Sequence, residues 1–575
     1  MNNCQTKKEV ERISPTMSKV DETKSKGTND LIITALRLVY SYIRGRYSTK
    51  DIAEICNEIK TIARIKDDEF FATEETNNGY SYAQIQETLS KINEKESIRK
   101  SKGVYYTPND VVKFILTSSV KALFGKLSTN NLSDMALLDI PYKSFCYTKS
   151  VFDPTCGAGE YLLAALEMKL TMLKHHKKSL SYNDVATSIS TIYGNDVNLD
   201  SVIITELRLL LCVAEFCGID YCRGLGKIMN RRFTTCDFIG TKTQPEIKYH
   251  IIVGNPPYVE DSKSSLPLTK KYGNIYANVL INAAERLEKN GAMGFIIPLS
   301  YVSTPRMKRL REELQVLVPE QYILSFADRP DCLFDSVHQK LCILIAKDKR
   351  VPVTLYTGNY QYWYKDERES LFQNLQVIKN NYQCADFIPK LGTQIDEDIY
   401  EKVSDPITTT PIYEISRHGC ESVYLNRREA FWMKAYRTKI DDPEYKVFSF
   451  ATAQEADFCY CIINSSLFWW YWICVSDCWH VSKALNNFRM PTMPNIEGAT
   501  NLASLLVDKL EATKVYVGTK QTQYEYKHRD CLEEIHAIDD FINAAYGLTE
   551  SESKYIKSFA IRYRTSGGID ADESN

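Results

Sequence analysis

Several things are missing from this sequence, and each absence narrows the reading. Across 575 residues, 71 Lys and Arg face 73 Asp and Glu, for a net charge of −2. No overall basic field advertises a polyanionic partner, so any nucleic-acid contact must come from local patches. The 17 cysteines include no Cys-x-x-Cys pair. The nearest approaches, Cys459/Cys461 and Cys474/Cys478 with His480, read as buried or free thiols of a reducing cytoplasm, and no metal site is expected. No signal-peptide pattern is seen at the start. The longest apolar-aromatic run, Leu467 to Val475, is too short to cross a bilayer. The expectation is a cytoplasmic protein with no membrane partner. Its composition is that of an ordinary globular protein, 44% hydrophobic and 25% charged, with length for about two to four units.

The most informative stretch is Ile251-Ile252-Val253-Gly254-Asn255-Pro256-Pro257-Tyr258. Small and β-branched residues end a buried strand, and a proline-stiffened loop follows at once. Two prolines remove two N–H donors, so the loop offers carbonyl oxygens and the Asn255 amide beside one aromatic ring. Two acceptors suit a planar NH2 group: they take both hydrogens and draw the nitrogen toward tetrahedral geometry. Tyr258 can stack on the ring that carries the amine. The competing reading is a strand and a proline turn without chemistry.

Taken in order, residues 1–28 are polar and expected to be disordered. Helical patterns follow from Asp30, from Ile52 to Ile65 and from Ala83 to Ile98, making a helical region over 29–100. No acidic Pro-Asp…Asp/Glu-x-Lys arrangement stands out in the first 100 residues, which argues against a fused nuclease. Tyr106, Thr107 and Pro108 then open an amphipathic helix through Val112, Ile115 and Val120, with Thr107 as N-cap and Pro108 in the first turn. Such a helix N-terminus can receive a carboxylate, or is simply a helix start. Asp153-Pro154-Thr155-Cys156-Gly157-Ala158-Gly159 joins a strand to a helix, the context in which glycines let backbone approach a cofactor. Asp196 ends the next strand, where it can hold a ribose diol or cap the helix from Leu199. After a third strand, Asp237 can accept from an adenine amino group while Phe238 packs on its ring. Strand and helix alternate over about 250 residues, which argues a mostly parallel sheet covered on both faces.

With these residues in place the chain resembles the gamma class of DNA adenine-N6 methyltransferases of restriction–modification systems. The resemblance is close over roughly residues 100–350, and Asn-Pro-Pro-Tyr is the catalytic tetrapeptide of that superfamily. It implies a Rossmann-like S-adenosylmethionine-dependent catalytic domain over 101–350. Tyr106, Thr107 and Pro108 would lie by the methionine end of S-adenosylmethionine, with Asp153, Cys156, Gly157 and Gly159 as the turn beneath it. Asp196 would hold the ribose, and Asp237 and Phe238 the adenine. Asn255, Pro256, Pro257 and Tyr258 would meet a flipped-out adenine, with Phe334 closing on its far side or else serving as a core residue. The sulfonium is a good leaving group, so direct transfer needs neither a metal nor a covalent enzyme intermediate. Glu160 and Tyr161 depart from the small residue and Phe often found there, a change expected to alter packing.

Beyond 350 the alternation fades, and the resemblance implies an α+β target-recognition domain over 351–500 and a helical tail over 501–575. Arg427, Arg428 and Lys434 lie among aromatics, and Lys483, Asn487 and Arg489 follow a buried apolar run; all are candidate contacts to duplex DNA. The competing reading is a solvated face over an aromatic core. A restriction endonuclease or other defence subunit is the partner the family implies. The rival functions are methylation of a protein glutamine amide or an RNA adenine, and a non-catalytic specificity subunit.

Overall fold

A computed structural model describes residues 22–65, 79–92, 106–240, 247–263, 268, 270–334, 338–348, 352–382, 386–416, 419–440, 442–481, 487–492, 494–518 and 524–565. At its centre is a nine-stranded sheet: β1 (Val151–Asp153), β2 (Ile192–Asp196), β3 (Phe233–Thr235), β4 (Tyr249–Gly254), β5 (Leu287–Pro298), β6 (Glu320–Phe326), β7 (Leu341–Lys347), β8 (Thr354–Gln361) and β9 (Ile378–Asn380). The spatial order is β3-β2-β1-β4-β5-β7-β6-β8-β9. Neighbours from β3 through β5 are parallel, β7 runs antiparallel between β5 and β6, and β8 is again parallel to β6. All seven residues of β7 are buried, as a strand covered on both faces requires. The expected α/β, Rossmann-like architecture is the one found.

Helices cover the sheet closely. Helix Asn109–Leu123 crosses β5 at Gly294, where a Cβ would stand 2.2 Å from the Ser119 hydroxyl. Lys347, at the end of β7, donates to the carbonyl of Ala122 at 2.6 Å and so closes that helix's last turn. Helix Leu199–Cys217 is apolar almost all round and buried, because the sheet lies on one side and the N-terminal helices on the other. Those helices are Glu22–Arg44, Thr49–Ala63 and Tyr82–Lys91, the last opened by a capping box of Ser81 and Gln84. The first begins at Glu22, so part of the stretch expected to be disordered is helical; residues 1–21 lie outside the described residues. Its Lys and Glu are good helix formers that extend the turn ahead of the apolar face.

The sheet does not stop at residue 350. β8 pairs with β6 and β9 with β8, carrying it to Asn380. Small antiparallel pieces follow, Glu421–Asn426 between Ala435–Tyr436 and Tyr445–Phe450, and Thr409–Pro411 against Arg489–Pro491. The apolar-aromatic run is a buried helix, Ser466–Val475, bent by 60° from helix Ala453–Asn464. Among the described residues no single helix is long and apolar enough to cross a membrane. The segment expected as a tail is built into the same core. Ser466 N–H donates to Asp539 at 2.7 Å, and the Arg564 guanidinium lies between Trp432 and Trp469, 4.1 and 4.3 Å from the ring centres.

Candidate active site

From β1 the chain moves outward to β2 and β3, then returns across β1 to start β4. The strand order therefore reverses between β1 and β4, and in open α/β sheets ligands bind outside the carboxyl ends at such a point. Because β1 to β4 are parallel, their ends share one edge. Asp153 ends β1, Asp196 ends β2, Asp237 follows β3 and Asn255 follows β4. Residues spread over about a hundred positions are thereby gathered on one side of the sheet.

The glycine turn is held open by specific contacts. Gly157 and Gly159 have φ of +52° and +86°, the left-handed region that glycine enters at little cost. At Gly159 a Cβ would lie 2.4 Å from the Thr205 methyl, so glycine brings the turn onto helix Leu199–Cys217. At Gly157 nothing lies within 4 Å of where a Cβ would project, so its backbone stays open to a ligand. Asp196 accepts from the Gly157 N–H at 3.0 Å and from the Asn198 N–H at 2.9 Å. The helix cap is Asn198, which accepts from Asp200; Asp196 is bent toward the turn instead. Asn195 is a residue the sequence reading missed. Its buried amide donates at 3.0 Å to the carbonyls of Pro154 and Cys236, tying the ends of β1, β2 and β3 together. Arg208, also missed, pairs with Glu160, donates to the Ala158 carbonyl, and meets Gln86 of the N-terminal helices at 2.9 Å.

Asn255 leaves β4 half-buried, and its Nδ2 donates to Thr107 Oγ1 at 3.0 Å. That bond corrects one expectation. Helix Asn109–Leu123 has Pro108 as its cap and no side-chain capping bond, because the Thr107 hydroxyl is turned to Asn255. With its nitrogen so engaged, the amide turns its oxygen the other way. Pro256 is buried, and Tyr258 is anchored through its hydroxyl to the Ile296 carbonyl at 3.0 Å, its ring edge-on to Tyr276. Beneath them Asp153, 2% exposed, accepts from the Thr155 N–H at 3.0 Å. Burial pushes its carboxyl up to about 8; the Thr155 bond opposes that and the Asp196 charge adds to it. Gly254 is required beside it, since a Cβ would come 2.9 Å from the Asp153 carboxylate. The Tyr161 hydroxyl, fully buried, lies near Thr107 and Asp153.

Other predicted residues are placed less openly. Cys156 is buried, and burial raises its thiol well above the ordinary range. Tyr106 and Pro108 are half-buried ahead of the helix. Asp237 accepts from the Ile239 N–H at 2.9 Å, a local turn. Phe238, 3% exposed, packs on Phe152 with the Arg286 guanidinium 4.6 Å above its ring. Phe334 is 1% exposed, and its carbonyl accepts from the Cys332 thiol.

Residues 190–329 match the family model described as Eco57I restriction-modification methylase. The matched segment is about a quarter of the chain and contains Asp196, Asp237 and the Asn255–Tyr258 loop. This central segment is thus similar to a restriction-modification methylase. No protein of curated function matches the chain in sequence. Solved structures with a similar fold include the Type IIL restriction-modification enzyme MmeI in complex with DNA, at 13% identity and TM-score 0.49, covering 86% of this chain and 83% of that one. They also include a nuclease-deletion mutant of the Type ISP enzyme LlaGI with a DNA substrate mimic (16%, TM-score 0.44, 72% of this chain) and a DrdV–DNA complex (12%, TM-score 0.40, 62%). The chain spans only 38% and 42% of those last two.

Of the candidate DNA contacts, Arg427 and Arg428 are exposed, the first donating to the Pro443 carbonyl and the second within 3.5 Å of Glu444. Lys434 is half-buried and Asn487 exposed, and Lys483 lies outside the described residues. Arg489 serves the fold: its guanidinium holds Thr409 on the neighbouring strand, its Nε 2.8 Å from the Thr409 hydroxyl.

Proposed function

We propose that this protein transfers a methyl group from S-adenosylmethionine to the N6 amine of an adenine turned out of duplex DNA, as the modification component of a restriction–modification or related defence system. The single observation that carries the reading is the Asn255–Thr107 hydrogen bond at the switch point of the sheet. With the amide nitrogen given to Thr107, the amide oxygen is assigned to the target amine.

The site fits the cofactor. The open side of Gly157, the carboxylate of Asp196 held against that turn and the helix N-terminus at Tyr106, Thr107 and Pro108 form a cradle for a nucleoside with an amino-acid arm. Asp237 is the candidate for its adenine amine. When bound, S-adenosylmethionine supplies a methyl group on a positively charged sulfur, an electrophile with a good leaving group. The protein's part is to prepare the nucleophile. Asn255 Oδ1 and the Pro256 carbonyl each accept one hydrogen of the target amine, so its lone pair leaves conjugation with the ring. Tyr258, fixed by Ile296, stacks on the base and holds it in that register. Phe334, buried next to this region, is the candidate for the far side of the base. Asp153, which accepts from the Thr155 N–H, is assigned to holding the turn rather than to acting on the amine.

The region beyond Asn380, with Arg427, Arg428, Lys434 and Asn487 on or near its surface, is the candidate target-recognition module, and duplex DNA its partner. A nuclease or other defence subunit would act beside it. To test the reading, purified protein is incubated with methyl-labelled S-adenosylmethionine and unmethylated genomic DNA, and the DNA is digested to nucleosides. Label in N6-methyldeoxyadenosine that is lost in Asn255→Ala is the expected result. No label in the DNA with the cofactor bound, or label in a parallel incubation with RNA or cell protein instead, would overturn it.

A further inference from the structure

Arg368 lies far from the glycine turn in sequence, in the short helical segment Lys365–Ser370 beyond β8. Its guanidinium nonetheless joins two parts of the candidate site. Nε and Nη2 donate to the two carboxylate oxygens of Asp110, at 2.6 and 3.1 Å. Nη1 and Nη2 also donate to the carbonyls of Cys332 and Leu333, at 3.2 and 3.1 Å. Asp110 stands in the first turn of helix Asn109–Leu123, two residues after Pro108. Cys332 and Leu333 immediately precede Phe334. The same segment is stapled to the helix a second time, by Phe372 stacked on Phe114 at 4.7 Å. On its other side Glu367 accepts from the Tyr563 hydroxyl at 3.0 Å and pairs with Arg562. Those residues belong to the C-terminal helix Ile561–Thr565, which Arg564 locks between Trp432 and Trp469.

We infer that Arg368 is a positioning residue that couples the cofactor pocket to the target pocket, an inference that rests on the methyltransferase reading above. One planar fork spans a carboxylate and two carbonyls, a geometry that guanidinium provides and an ammonium does not. Whatever shifts the start of helix Asn109–Leu123 therefore shifts the two carbonyls ahead of Phe334. A displacement of Phe334 by an incoming base is carried back to the helix start in the same way. Through Glu367 the clamp also meets the C-terminal helix, so the module proposed to read DNA bears on it. Coupling of this kind is reciprocal: duplex must tighten cofactor binding by the factor by which cofactor tightens duplex binding.

The test uses the full chain and, as probe, a non-reactive S-adenosylmethionine analogue that keeps its amino-acid arm. Its dissociation constant is measured with and without a duplex carrying the methylated sequence, for wild type, Arg368→Lys and Arg368→Gln, with the thermal midpoint of each. The expected result is tightening by about tenfold in wild type, within the usual range of such coupling, and by less than about twofold in both variants. Two variants, one keeping the charge, separate loss of the fork from loss of the fold. Asp110→Asn should lower the ratio in the same direction. A duplex effect that survives in a folded Arg368 variant, or its absence from wild type, overturns the coupling alone. A chain that binds no cofactor analogue overturns both this inference and the methyltransferase reading.

Discussion

Replacing Thr107 by Val tests how the reacting amide is held. The change keeps shape and β-branching at a site 4% exposed, so packing is nearly conserved. It removes the oxygen that accepts from Asn255 Nδ2 at 3.0 Å. A neutral hydrogen bond of this kind contributes about 0.5–1.5 kcal/mol net, and leaving a buried donor unpaired costs about 1–3 kcal/mol. Asn255 is half-buried, so water can recover part of that loss, and about 1.4–2.8 kcal/mol is the reasonable span. If the bond orients the amide for the transition state, the loss falls on the rate, about ten- to hundredfold at 1.4 kcal/mol per decade. The assay is single-turnover methyl transfer with saturating DNA, beside calorimetric titration of the cofactor. The expected pattern is a slow transfer step with cofactor affinity within about threefold, because the cradle uses the backbone of the helix start while the Thr107 hydroxyl is bonded to Asn255. Thr107→Ser, which restores the hydroxyl, should recover the rate. A Val variant that transfers at the wild-type rate would refute the orienting role. One that loses cofactor binding instead would assign the Thr107 hydroxyl to the methionine arm and not to the amide.

Further predictions follow from the glycine turn and from buried charges. Gly159→Ala should destabilise by about 2–4 kcal/mol in denaturant, since its Cβ meets Thr205 at 2.4 Å and φ is +86°. Gly157→Ala should cost only about 1 kcal/mol of strain yet weaken cofactor binding at least about tenfold, because the new methyl fills the open side. Burial lowers the Lys169 ammonium to about 7, against 10.5 ordinarily. Between those values the unfolded chain binds more protons at this position than the folded one. Lys169 thus makes stability rise with pH from about 7 to 10.5, by up to about 1.4 kcal/mol per pH unit, and Lys169→Met should remove that part of the slope in unfolding measured across the window. Arg564→Ala should cost about 2–4 kcal/mol in the same assay, through lost packing between Trp432 and Trp469 and lost bonds to Phe431 and Ser466.

Much of the site could be read before the fold was known, because parallel strands end on one edge and their last residues inherit a common place. The shared edge of Asp153, Asp196 and Asn255 follows from that rule, and the glycines from the sharp turn between strand and helix; their roles come from the resemblance. The residues that escaped sequence reasoning are those whose role is a distant contact. Asn195 is one position from a predicted residue, but its amide reaches Pro154 and Cys236. Arg208 meets Gln86 across a helix interface, and Arg368 meets Asp110 from 258 positions away in the sequence. Thr107 was placed on the helix start by its type, and tertiary geometry turned it to Asn255. Arg489 reads as a candidate DNA contact, while in the fold its guanidinium holds Thr409. The limit at 350 did not anticipate β8, because strand–helix alternation fades there and only pairing with β6 ties that strand to the sheet.

The most direct test of the account is base-modification sequencing of genomic DNA from a methylation-free host that expresses the protein, with Asn255→Ala as control. The account predicts N6-methyladenine at one fixed sequence in the wild-type sample and none in the control. Unmodified DNA from cells in which the purified protein is shown to bind S-adenosylmethionine would contradict it.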